Sequence, residues 1–523
     1  MSRLIYCLII FLFSNFLAYQ YYENISCLQS GIDVLKYHLK IDLNFDKKNI
    51  RCSNEITLIK SPLSKDTLTL DFYNNLVIEN ILANEIKLKY KREERKIFID
   101  ISSQMNDTLT LRIDYYGKPK SFGLEGLVFA SINDQKIVQT INQPNYAPSW
   151  FPCNDDPSDK ALLEIEITND SEFISVANGL LLNKFENNNR TTFHYKTIYP
   201  IATNLIGFYS SNYSIINEDY TTINGNKLSI EYFIFPKDSI KAIYDLSDMK
   251  NYINTFENIF GEYPFVEEKF CISEILYGRG AIENQTLVGI GKELFSGKQF
   301  HKNVFIHELA HSWWGNAVGI SNWKDIWLSE GFASYSEALF FEYQYGKSAL
   351  KSYMSKFIPE QLSGRLYNPE NLFGDIIYYK GAWVLHMIRN TLSDIIFFDF
   401  LKNFYNHFRY KTISTEEFKE YLKTYSGIDF TIFFNQWVYQ DNGIIDCSYV
   451  YNKSEKTITV KQNDFVFEFQ LEIKIVYDNS SSEILNTFID REEVIIKLSS
   501  KENINEIILD PEMKLLARFN QSN

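Results

Sequence analysis

Val304 to Glu337 reads VFIHELAHSWWGNAVGISNWKDIWLSEGFASYSE, and this stretch decides how the centre of the chain folds. It contains His307-Glu308-Leu309-Ala310-His311, an H-E-x-x-H pattern, followed by Glu330. Residues four apart on a helix share a face, so His307 and His311 aim two imidazoles at one point. Glu308 is turned off that axis but stays within reach of a water held there. A second helix starting near Asp325 brings Glu330 to the same point. Two histidines and one carboxylate, with a fourth position open to water, are the ligand set of a catalytic zinc, one Zn2+ per chain. The competing reading is a solvated or core helix that carries the pattern by accident. With only seven histidines in the chain, accident explains the motif poorly. Glu308 is the candidate general base. Glu337, two turns beyond Glu330, either orients a ligand imidazole or is a surface glutamate.

Outward from this stretch, helical patterns run from His301 to Gln440. Ser414-Thr415-Glu416-Glu417 makes a capping box, and Gly427 suits the stop of that helix. Leu228 to Phe235 and Lys269 to Ile275 look strand-like. Residues 215–441 therefore read as a mostly helical catalytic domain with a mixed sheet. Before it, Tyr37 to Phe45, Leu68 to Phe72, Leu109 to Tyr115, Leu162 to Ile167 and Thr191 to Tyr195 alternate with turn residues between them. That predicts antiparallel sheets packed as a saddle or sandwich over 19–214. After it, Phe467 to Tyr477 alternates, with Val494 to Leu498 and Ile504 to Leu509 as partners, which predicts a small β sandwich over 442–523. The fold class is multidomain α+β.

Two further constellations carry chemistry. Gly280-Ala281-Ile282-Glu283-Asn284 follows a strand at Cys271 to Leu276. An extended segment there offers an edge to a peptide, with Glu283 at its end suited to a cationic amine. Read alone, the same residues are a turn with a solvated acid. Tyr378-Tyr379-Lys380-Gly381-Ala382 offers a tyrosine hydroxyl for an oxyanion, although most of the 35 tyrosines are packing residues. His386, His38, His194, His301 and His407 read as structural or surface groups.

Bulk properties set limits. At 523 residues the chain exceeds one hydrophobic core. A net charge of -14 gives no electrostatic footprint for nucleic acid. Arg3, the apolar run Leu4 to Phe13 and Ala18 read as an export signal over 1–18, too short for a stable membrane span. The protein is expected to be secreted or periplasmic, or held by the uncleaved signal as an anchor. Six cysteines, Cys7 among them, form no disulfide framework; Cys27 with Cys52 is one pairing open to an exported protein.

Taken together, H-E-x-x-H, the following W-L-S-E-G-F-A and the two outlying motifs resemble the aminopeptidase N (M1) family of zinc metallopeptidases, which includes leukotriene hydrolase. The family's G-x-M-E-N is matched at Gly280 to Asn284, and its Y-x-K-G-A at Tyr378 to Ala382, which selects Tyr378 over Tyr379. Its T-Q-x-[EQ] and F-P-C-x-D-x-P appear as Thr140 to Gln143 and Phe151 to Pro157. The resemblance implies a saddle-like β domain, a thermolysin-like catalytic domain and a small β sandwich. It also implies that Gln143 helps bind the substrate amine. Three departures stand out. Ile282 replaces Met beside Glu283, and Ile141 replaces the family's first Gln. The long C-terminal helical domain of many relatives does not follow the β sandwich, which predicts a more open site.

The reading is an exported aminopeptidase acting on peptides with a free N-terminus. His307, His311 and Glu330 hold zinc; Glu308 and Tyr378 are catalytic. Gln143, Gly280, Ala281, Glu283 and Asn284 bind substrate. The rivals are a metalloendopeptidase and an epoxide hydrolase on the same zinc site. A third, a non-enzymatic scaffold, is disfavoured because no ligand, base or tyrosine is missing.

Overall fold

The computed structural model describes residues 32–60, 66–104, 106–358, 362–499 and 502–522. The expected signal and Cys27 lie outside them. The described chain is mixed α+β, β-rich at its N-terminal end and helical around the H-E-x-x-H motif. It divides into two compact units, Met1–Trp323 with Tyr405–Ile413, and Lys324–Phe404 with Ser414–Asn523.

Alternation builds the first unit. In Ile32–Asn44, Tyr37, Leu39, Ile41 and Leu43 are buried while His38, Lys40 and Asp42 face outward. This strand lies inside a large sheet, between Asn49–Lys60 and Lys160–Asp170; Thr108–Gly117 and Arg190–Lys196 flank those two in turn. Most pairings are antiparallel, as expected, but Ile32–Asn44 runs parallel to Lys160–Asp170, with His38 opposite Glu164 and Lys40 opposite Glu166. That pair corrects the purely antiparallel expectation. Parallel neighbours need a long crossover, and local strand periodicity carries no trace of one. A five-stranded sheet containing Glu125–Ile132, Gln135–Ile141 and Phe208–Ser211 shares the same core, in which Leu39, Ile113 and Ile165 cluster with Val138, Ile141 and Phe208. The four described cysteines, Cys52, Cys153, Cys271 and Cys447, are buried thiols.

A mixed sheet completes this unit, in the order Ser214–Thr221, Lys227–Ile234, Phe270–Ile275, Val288–Gly291, Ala281–Ile282. The last is the terminal strand, antiparallel to its neighbour through Ala281 opposite Ile290 and Ile282 opposite Gly289. The helix Lys302–Ala310 follows.

In the second unit, Trp327–Tyr345 is a 19-residue helix and Gly381–Leu392 packs on it. Their contact is glycine on glycine. A Cβ on Gly331 would lie 2.9 Å from Gly381 Cα, and one on Gly381 would lie 2.8 Å from Gly331 Cα. Any side chain at either position would force the helices apart. The Ser414 capping box is present and Gly427 caps Thr415–Ser426 at φ 72°. Beyond Ile445 lie a four-stranded and a three-stranded sheet. Trp437 stacks on Phe467 at 4.6 Å, tying the last helical turn to this β region.

Candidate active site

His307 lies in the last turn of Lys302–Ala310, and His311 caps it. His311 Nδ1 sits 3.0 Å from the Trp314 carbonyl. A carbonyl only accepts, so Nδ1 carries the proton and Nε2 presents a lone pair. That Nε2 is 3.1 Å from His307 Nε2. Two nitrogens bonded to one tetrahedral zinc at 2.0–2.1 Å would be about 3.3 Å apart, so the pair fits such an ion with little movement.

Glu308 is buried on the same helix. Carboxylate oxygens of Glu283 and Glu308 and a ring nitrogen of His311 lie within 4.8 Å of one another. Glu283 reaches this point from the end of the terminal strand Ala281–Ile282, and it is held twice. Gln143 Nε2 donates to Glu283 Oε1 at 2.6 Å, and Asn316 Nδ2 donates to its backbone carbonyl at 2.9 Å. Gln143 itself follows the strand Gln135–Ile141. Its neighbour Asn142 is fixed by donating to the Thr203 and Ile206 carbonyls and accepting from Trp150 Nε1. Upstream, Gly280 donates to the Tyr277 carbonyl and accepts from Gly291, which sets the strand's start.

The structure thus gathers Gln143, Glu283, Glu308, His307 and His311, with Gly280 and Ala281 leading into Glu283. Asn284 turns away: its amide donates to the Tyr209 hydroxyl at 2.9 Å, in the interior. Ile282 is buried too. A Cβ on Gly289 would meet its Cγ2 at 2.7 Å, so it packs inward. Ile141 belongs to the hydrophobic core.

In the second unit, Glu330 is buried in the first turn of Trp327–Tyr345, immediately before Gly331. Tyr378 lies in a π-helical turn, Ile376–Lys380, that leads into Gly381–Leu392. The Gly331–Gly381 contact packs the motifs that carry Glu330 and Tyr378 against each other. Tyr379 stacks on Phe357 at 4.8 Å, a packing role. Lys380 donates to the Gly364 and Asn442 carbonyls at 2.7 and 2.8 Å, and burial lowers its pKa to about 7. Glu337 is buried, not a surface residue, and accepts a hydrogen bond from the Tyr353 hydroxyl. His386 is structural, as expected. It lies between the Tyr335 hydroxyl and the Met513 carbonyl, and burial lowers its pKa to about 4.

Sequence reasoning missed four positioning groups: the Trp314 carbonyl, Asn316, Tyr209 and Lys160. Only the first two lie near the zinc motif in the chain. Lys160, at the start of its strand, donates to the carbonyls of Asn316, Ala317 and Lys411 at 2.7, 3.2 and 3.2 Å.

A helix-borne H-E-x-x-H pair beside the edge of a mixed sheet is the architecture of an H-E-x-x-H metallopeptidase domain. Sequence comparison agrees. The profile described as Peptidase family M1 domain matches residues 244–437, and that described as Peptidase M1 N-terminal domain matches 34–205. The chain belongs to peptidase family M1. It is 27% identical over 415 residues to leucine aminopeptidase 2 of Yarrowia lipolytica, covering 73% of this chain and 61% of that protein. It is 25% identical over 443 residues to probable aminopeptidase 2 of Sulfurisphaera tokodaii, covering 78% and 54%. The chain thus spans 54–61% of the length of these relatives, less than two thirds. Among solved structures, Legionella pneumophila aminopeptidase A in complex with aspartic acid superposes with a TM-score of 0.83 at 18% identity, over 95% of this chain and 60% of that one. The M1 zinc metallopeptidase of Deinococcus radiodurans gives 0.65 at 21%, over 76% and 91%.

Proposed function

We propose that the protein is a zinc-dependent aminopeptidase that removes residues from peptides with a free N-terminus. The observation that carries this reading is Glu283, buried at the end of an edge strand, braced by Gln143 and converging with Glu308 and His311. A peptide laid along Ala281–Ile282 by strand addition brings its α-ammonium to Glu283. The first peptide bond then falls at the H-E-x-x-H helix.

His307 and His311 hold the metal, with Glu330 as the third ligand on the strength of the motif spacing. Bound zinc supplies Lewis acidity to the scissile carbonyl and lowers the pKa of water towards about 7. Glu308 takes the proton from the attacking water and returns it to the leaving amine. Tyr378 donates a hydrogen bond to the developing oxyanion. Gly280 and Ala281 align the peptide backbone. Asn284 acts from behind, through Tyr209.

The remaining parts of the reading are a saddle-like β domain over 19–214, a thermolysin-like domain over 215–441 and a β sandwich over 442–523. The alternating buried residues of Thr457–Gln462 and Phe469–Tyr477, one strand from each C-terminal sheet, support the sandwich. We also propose export, from the apolar run at Leu4 to Phe13. No described helix is long and apolar enough to cross a membrane.

A panel of aminoacyl amides assayed beside their N-acetylated forms tests the function. Chelator-sensitive cleavage of the free amines alone is expected. Equal cleavage of the acetylated forms would make it an endopeptidase. The epoxide hydrolase rival has a relative in leukotriene A-4 hydrolase of Xenopus laevis, 23% identical over 426 residues. It predicts epoxide turnover where aminoacyl amides are left intact.

A further inference from the structure

On the outward face of the large sheet, far along the chain from the zinc motif, two histidines and two glutamates converge. His38 lies on Ile32–Asn44, Glu164 and Glu166 on Lys160–Asp170, and His194 on Arg190–Lys196. The register puts His38 opposite Glu164, and Glu166 opposite His194. Alternation then sends all four side chains to one face, while Tyr37, Leu39, Ile165, Ile167, Phe193 and Tyr195 fill the core behind them.

The polar atoms meet closely. His194 Nε2 is 3.0 Å from Glu164 Oε1; His38 Nε2 is 3.0 Å from Glu166 Oε1 and 3.7 Å from Glu164 Oε1. The two rings lie nearly parallel, 17° apart, with centroids at 6.4 Å. Ligand atoms of His38, Glu164 and His194 all fall within 4.8 Å of one another. Corners of a tetrahedron around zinc, with bonds of 2.0–2.2 Å, are about 3.3–3.5 Å apart. His38, Glu164 and His194 already lie near that spacing, and Glu166, 3.0 Å from His38 Nε2, is the neighbour that turns in as the fourth ligand. Their side chains are 15–25% exposed, open to an ion yet held by neighbours.

We propose that His38, His194, Glu164 and Glu166 form a second divalent-metal site, structural in kind and suited to zinc. Two imidazoles and two carboxylates are a closed four-ligand set with no position left for substrate. The site clips three strands together, including the parallel pair. Two lysines compete for the carboxylates. Lys36 Nζ sits 2.7 Å from Glu164 Oε2, which leaves Oε1 to the metal. Lys40 Nζ pairs with Glu166 Oε1 at 3.1 Å and is more than half exposed, so it swings away into solvent. On uptake each imidazole presents a bare Nε2, its proton moving to Nδ1 or to water.

Metal-stripped full-length protein titrated with zinc against a chromophoric chelator tests the site. Two equivalents are expected at micromolar zinc. The double variant His38→Gln with His194→Gln should keep one equivalent, while His311→Gln should retain the sheet equivalent. Lys40→Ala removes the competitor and should tighten the weaker equivalent several-fold, a gain that no folding defect imitates. A single equivalent in the natural sequence, two in the double variant, a second bound only at millimolar zinc, or no effect of Lys40→Ala would each overturn the proposal.

Discussion

Gln143 Nε2 donates to Glu283 Oε1 at 2.6 Å, joining residues 140 positions apart. The bond is charge-assisted, and its donor sits on a loop fixed by three hydrogen bonds to Asn142. The carboxylate that would receive a substrate's amine is therefore aimed before substrate arrives. Glu283→Ala should lower kcat/KM for free aminoacyl amides by about 10²–10³, the cost of leaving a buried ammonium unpaired. Gln143→Ala should raise KM by about 3–10-fold with kcat nearly unchanged, since it removes one neutral donor. Steady-state kinetics on the two variants separate an anchor from its brace. Equal losses in both would assign the amine to Gln143.

Glu308 and Tyr378 should separate in a different way. Glu308→Gln preserves shape and should keep zinc bound while kcat falls about 10²–10⁴-fold. Tyr378→Phe should lower kcat about 10²–10³-fold with KM little changed, as removal of an oxyanion donor does. Metal content by emission spectroscopy beside kinetics distinguishes both from the loss of a ligand. His307→Ala should lose metal and activity together.

The helical site was largely legible because its chemistry is local. H-E-x-x-H needs only the helical repeat, and the capping box at Ser414 and the stop at Gly427 read directly from propensity. Strand alternation over Phe467 to Tyr477 found the strand Phe469–Tyr477, whose residues alternate buried and outward. What escaped depends on contacts between distant residues. The parallel pairing of Ile32–Asn44 with Lys160–Asp170 has no signature in either strand. Ile141 and Ile282 read as changes at the site, yet one is core and the other packs over Gly289. Asn284 looked like a substrate contact, while its amide serves Tyr209.

Lys160 is the sharpest of the unforeseen residues. Its ammonium is held among three backbone carbonyls, one of them Asn316, whose side chain in turn holds the Glu283 carbonyl. A Cβ on Gly319 would meet Lys160 Cε at 2.9 Å, so the passage for the side chain is shaped by that glycine. Lys160→Met keeps the length and strands three acceptors. It should cost about 1–3 kcal/mol of stability by urea denaturation. It should also raise KM more than it lowers kcat, because the disturbance reaches Glu283 through Asn316. An unchanged KM in a destabilised variant would confine Lys160 to folding.

Asp155 predicts how stability depends on pH. Its side chain is 3% exposed, 3.2 Å from the Arg95 guanidinium, and accepts from Thr203 Oγ1 at 3.1 Å. Burial raises its pKa to about 7 against the pull of Arg95, with Asp71 pushing the same way as burial. The unfolded value is about 3.9. Between these values the folded chain keeps a proton that the unfolded chain has released, so stability falls as pH rises through that window. The contribution is fully lost above about pH 7 and fully present below about pH 4. Asp155→Asn cannot titrate and should remove this slope, even if its absolute stability is lower for want of the Arg95 partner. Unfolding free energies from urea titrations at pH 4.5 and 7.5 on metal-stripped protein should differ between the two chains by about 2–4 kcal/mol in their pH dependence. A natural sequence that gains stability across this window relative to Asp155→Asn would mean that Arg95, not burial, governs the group.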